Sequence, residues 1–234
     1  MQSNIDPFPP SLPHGELLQG PISLLLISHT GSIFDYEHQI LVTHSLVGAD
    51  CMRQLLEQLQ SDHRPFCVEF PTQALVAASP AFAEIYDSED FSSLVPLSLG
   101  NVLPGFAMCV LDWYGKALRS KAWYDFLPSE PLTDQSEKWY LVYCYSSMRS
   151  LGLLEFAGRL QNLVEHTLDS LSTDLNAYGH ILRVISPQDP TLLRLAHLTA
   201  QRMQSGLLSL NDQECKVLAE NFPNFATLVN RSLV

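Results

Sequence analysis

Ser79-Pro80 constrains this chain more than any other dipeptide. Serine is a preferred helix N-cap, and proline fits the first helical position, where its missing N–H costs nothing. Whatever precedes it must stop there and become a helix. The upstream runs "PFCVEF" (65–70) and "QALVAAS" (73–79) read as two strands joined at Pro71-Thr72. Downstream, "AFAEIY" makes a short helix, and "DSED" (87–90) is too dense in like charge to continue it. Pro96, Gly100 and Pro104 then leave room only for single helical turns in "FSSLVPLSLGNVLP".

β character returns beyond Pro104. "FAMCVLDW" (106–113) is apolar, "WYGK" reads as a turn, and "ALRSKAWYDFL" (117–127) alternates. "PSEPLTDQSE" is an acidic loop, and "KWYLVYCYSSM" (138–148) is the strongest strand pattern in the chain. Ahead of this region lie a proline-rich leader (1–15) and an extension (16–63). The extension has candidate strands at 21–28 and 38–43 around "HTGS". A helix over 45–62 follows, with Leu46, Cys51, Met52, Leu55, Leu56 and Leu59 in period.

The region 149–234 reads as helix. Leu153, Ala157, Leu160, Val164 and Leu171 form one stripe, and Glu155–Arg159 is a favourable i,i+4 pair. Asp189-Pro190 caps a helix over 191–204 that Gly206 ends. Asn211 and Glu214 form a capping box, with Leu210 and Cys215 spaced for a hydrophobic staple. Pro223 breaks that helix, and a last one covers 224–233.

Two strands, short helices, three strands and a long helix give an α+β fold class. The order resembles a PAS domain over 64–148, about a third of the chain. "SPAF" (79–82), "SLGNVLP" (98–104) and "DWYGK" (112–116) carry the resemblance. It implies a five-stranded antiparallel sheet with short helices and a sensory or protein-docking role. It also implies a dimer whose exiting helix, with Leu153, Ala157, Leu160 and Val164 as its seam, passes a signal onward.

Such a domain can hold a ligand in a pocket, here lined by Phe82, Phe106, Met108, Trp123 and Tyr143. No reactive-cysteine motif of the flavin-binding kind occurs, and no His lies between His63 and His166 to ligate haem. The expectation is therefore no cofactor: a pocket filled by its own side chains, with a small apolar ligand as the alternative.

Composition narrows the class further. Hydrophobic residues make up 46% of 234, enough for a buried core. The net charge of −12 disfavours broad binding to nucleic acid or anionic membranes. That charge is uneven: residues 1–148 hold 6 Lys/Arg against 17 Asp/Glu, and residues 149–234 hold 7 against 8. Five cysteines without a CxxC, and no apolar run near bilayer length, point to the cytoplasm.

"GELLQG" (15–20) resembles a short stretch of the GHMP small-molecule kinases, but no Gly-rich phosphate loop accompanies it. Neither "DSED" nor the histidine spacing matches a metal site. The expected function is therefore a non-enzymatic regulatory protein with a protein partner or itself as partner. Two alternatives stand beside it. One is a DNA-binding regulator using helices 187–234, with Asn224, Thr227, Asn230 and Arg231 as contacts. The other is an enzyme whose site is split along the chain.

Overall fold

The computed structural model describes residues 17–28, 39, 66–87, 94–99, 102, 104–120 and 134–233. The strand expected at 38–43, the helix at 45–62, the acidic run 88–90 and Trp123 lie outside these.

Among the described residues, strand β1 (Ile22–Ser28) is the middle of a three-stranded sheet. Its alternation is strict, with Ser23, Leu25 and Ile27 buried and Ile22 exposed. β2 (Phe66–Pro71) pairs with it antiparallel, Ser23 opposite Phe70. β3 (Leu94–Ser98) pairs parallel on the other side, Leu25 opposite Val95. The single helical turns expected around Pro96 are thus a strand. Among the described strands β3 is the outer one, the kind of position to which strand proline is confined.

"QALVAAS" is also not a strand. Thr72–Ala78 forms helix α1, with Thr72, Ala74 and Leu75 buried. Its three alanines favour helix. Ser23 Oγ and Thr72 Oγ1, 2.8 Å apart, tie its start to β1. Ser79 then caps α2 (Pro80–Tyr86), accepting from Phe82 N at 3.4 Å, with Pro80 at the first position as the sequence requires.

The largest correction is in the middle of the chain. "FAMCVLDW", the expected turn "WYGK" and the start of "ALRSKAWYDFL" form one helix, α3 (Pro104–Ser120). Phe106, Val110, Tyr114 and Ala117, with Ala107, Leu111 and Leu118, give it a helical apolar face. "KWYLVYCYSSM" lies in helix α4 (Gln135–Ser150), where Leu141 through Met148 are all buried. A helix apolar all round loses its 3.6-residue signature and imitates a buried strand. The five-stranded PAS-like sheet expected from the resemblance is therefore not formed. Four of its five strands fall wholly or in part in helices, and among the described residues the sheet has three strands.

The rest is helical as expected: α5 (Leu154–Leu171), α6 (Leu175–Val184), α7 (Pro190–Gln204), α8 (Asp212–Asn221) and α9 (Pro223–Leu233). α3, α4 and α5 pack in sequence, α5 meets α7, and α7 packs against α9. An aromatic chain links sheet to bundle: Phe70 stacks on Tyr114 at 5.8 Å, and Tyr114 meets Phe156 of α5 at 5.2 Å. Tyr114 also donates to the Ala74 carbonyl at 3.0 Å, fixing α1 on α3.

Helix ends follow the sequence closely. Gly206 (φ +71°) closes α7, with Leu207 N donating to Arg202 O at 2.9 Å. The Asn211–Glu214 capping box is present in both directions. Gly152 (φ +70°) ends α4 in the same way as Gly206 ends α7, splitting what reads as one continuous helix from 149.

Candidate functional site

The last turn of α4, the last turn of α6 and the loop joining α6 to α7 enclose a half-open cleft of about 550 Å³. α4 contributes Ser146, Arg149 and Ser150 to its wall, and α6 contributes Leu182 and Arg183. Leu99, just past β3, and Phe222, between α8 and α9, close two further sides. The cleft therefore touches both the sheet layer and the helical bundle. A smaller apolar notch of about 120 Å³ adjoins it, sharing Leu182, Ile185, Pro187 and Phe222 with it and reaching Leu192 and Phe225.

The cleft's shape is held by a buried polar network. Asp189 is 4% exposed and caps α7, accepting from Thr191 N at 2.9 Å and Thr191 Oγ1 at 2.6 Å. The same oxygen accepts from the Tyr145 hydroxyl at 3.0 Å. Its other oxygen pairs with Arg149 Nε at 3.0 Å. A buried carboxylate survives only when so paired. Burial first, and then the adjacent Asp189 carboxylate, push the Tyr145 phenol well above its ordinary range, so it remains a donor. Ser146 Oγ donates to the Val184 carbonyl, joining α4 to α6 beside the cleft. Arg149 is ion-paired to Asp189 through Nε and still lines the cleft.

Arg183 is exposed on the shared wall of this cleft and a third depression that also includes His180. Burial, then the Arg183 charge, lowers the His180 pKa, with Asp174 partly opposing. Trp139 packs edge-on to the His180 ring at 6.0 Å.

Of the residues anticipated for a ligand pocket, the four described, Phe82, Phe106, Met108 and Tyr143, line none of the cavities above. Phe106 and Tyr143 fill the α3–α4 interface against each other, ring centroids 4.9 Å apart. Phe82 is buried on α2, and Met108 is exposed beside β2. Helical packing, in place of the expected sheet, is what separates them.

The anticipated dimer seam is likewise used internally. Leu153, Ala157 and Val164 are buried, and Leu160 packs against the same core. The amphipathic stripe of α5 is satisfied within the chain, by α4 and α7. The four anticipated DNA contacts, Asn224, Thr227, Asn230 and Arg231, do share an exposed surface of α9. Residues 187–234 balance 4 Lys/Arg against 4 Asp/Glu, and Arg202 is spent capping α5 through the Ser172 carbonyl at 2.7 Å.

Among the described residues there is no cluster of three or more potential metal ligands. Cys109 and Cys144 flank Tyr140, and complete burial drives the Cys144 thiol up, the direction of an unreactive core cysteine. No described helix is long and apolar enough to cross a membrane. Family models, curated proteins and solved structures gave no match to the chain.

The cleft is invisible in the sequence because Tyr145 and Asp189 are 44 positions apart. Asp189-Pro190 is legible as a helix cap. Nothing local marks that cap as the partner of Arg149.

Proposed function

We propose that this chain is a non-enzymatic regulatory protein of the cytoplasm that docks a partner protein in the cleft between α4, α6 and the α6–α7 loop. The observation that carries this reading is the Arg149–Asp189–Tyr145 network. It fixes a guanidinium on the wall of an accessible cleft and ties α4 to the α6–α7 loop and the start of α7 at that point. Preorganised polar groups beside an apolar surface suit recognition, because little ordering cost remains at binding. The cleft also joins Leu99 of the sheet layer to the bundle, so an occupant bears on both. The free thiols among the described cysteines suit a reducing compartment.

Display selection of random peptides on the immobilised full chain tests the reading, with Ser186→Trp as a variant that fills the cleft. The expected result is a shared peptide pattern on the native chain that is lost on Ser186→Trp. Absence of any shared pattern contradicts docking. A pattern indifferent to Ser186→Trp contradicts its placement in the cleft.

A further inference from the structure

We infer that the cleft takes an acidic segment of a partner protein, one in which carboxylates neighbour apolar side chains. This inference rests on the docking reading above and names the chemistry of the partner. The chain carries a net charge of −12, yet this cleft is walled by two arginines, and the carboxylate that pairs with Arg149, Asp189, is buried and bonded through both oxygens. Arg149 is aligned by Asp189 through Nε, the arrangement that leaves the terminal amino groups to fork a second carboxylate. Arg183 lines the same wall one helix away, with an interaction of its own.

Both arginines stand in last helical turns, where carbonyl dipoles carry roughly half a negative charge each. The N-terminus of α7 returns about half a positive charge. The net field is thus small, and recognition falls to the geometry of the guanidinium groups. An ion-exchange type of attraction does not suffice to explain it.

The second half of the specificity is apolar. Leu182, Ile185, Leu192, Phe222 and Phe225 line the notch that opens from the cleft wall. An aliphatic or aromatic side chain next to a carboxylate reaches the notch while the carboxylate meets Arg149. Such an anchor in a desolvated pocket, rimmed by polar groups, is the usual source of peptide affinity. A purely acidic run would leave the notch unfilled, and a purely apolar one would not engage the Arg149 fork.

The test uses the full chain and short fluorescein-labelled peptides read by anisotropy. One peptide alternates Asp with Leu, a second alternates Asn with Leu, and a third is any peptide enriched by the display selection. The expected result is about tenfold tighter binding of the Asp–Leu peptide than of its Asn–Leu counterpart. Arg149→Lys, which keeps a charge beside Asp189 but loses the planar fork, should abolish most of that difference while circular dichroism shows the chain still folded. Equal binding of the two peptides by the native chain, or indifference to Arg149→Lys, overturns the acidic-partner inference. If the selected peptide still binds in that case, the docking reading stands without it. Failure of every peptide, the selected ones included, overturns both.

Discussion

Gly152 and Ser79 occupy one spot in the fold: a Cβ added to Gly152 would overlap the Ser79 hydroxyl and sit 3.2 Å from Ser79 Cβ. Gly152 closes α4 in the left-handed conformation, and Ser79 caps α2 while fully buried. The end of the central helix therefore seats directly on the start of α2. Gly152→Ala should lower stability by roughly 2–4 kcal/mol, combining left-handed strain with overpacking. Gly206→Ala has the same backbone geometry with nothing within 4 Å, so it should cost only about 1 kcal/mol. Urea unfolding of both variants checks the difference, and equal costs would remove the Ser79 contact from the account.

Tyr145 and Asp189 should couple energetically. Tyr145→Phe removes one donor and should cost about 1 kcal/mol. Asp189→Ala removes the α7 cap and strands the phenol and guanidinium, so roughly 2–4 kcal/mol is expected. The double variant should cost less than the sum of the two, since the Tyr145 donor has nothing left to lose. A double-variant cycle by chemical denaturation reads this directly, and strict additivity would contradict the shared network.

Stability should decline as pH falls through the histidine range. The folded His180 pKa lies below its unfolded value, so between the two the unfolded chain binds the extra proton. Stability is then full above the unfolded value of about 6.5 and drops as pH decreases below it. Burial also raises the Asp169 pKa, which acts with opposite sign but in the carboxylate range, at lower pH. His180→Gln should flatten the slope between pH 7 and 5 in melting scans. An unchanged slope would assign the effect to another group.

Leu153→Asp should unfold the chain and leave no intact monomer behind. Leu153 is fully buried within the chain, and a carboxylate there has no partner. Leu160→Asp, at the partly buried edge of the same stripe, should weaken the fold in the same direction. Light scattering and circular dichroism together distinguish the outcomes. A folded monomer released from a dimeric wild type would restore the α5 seam as a dimer contact.

Legibility in the sequence divides along lines of locality. Ser79-Pro80, Asp189-Pro190, Gly206 and the Asn211–Glu214 box act through residues within four or five positions, and each is legible in the chain itself. α3 and α4 are not. In α4 every residue from Leu141 to Met148 is buried, so no polar face is left to set a period. In α3 the period exists, but Gly115 inside "WYGK" imitates a turn; the Phe70 ring lies 3.7 Å from where its Cβ would stand. β3 is hidden by Pro96, which suits the outer place that β3 takes among the described strands, a place that only the sheet order reveals. The cleft depends on contacts 38 to 44 positions apart, beyond the reach of any local pattern.

Hydrogen–deuterium exchange of the full chain, with and without a bound peptide from the display selection, tests the docking account most directly. The account predicts slowed exchange at 146–150 and 182–188, around Arg149, Arg183 and Asp189. Slowed exchange confined to the sheet or to α9, with those two segments unchanged, would contradict it.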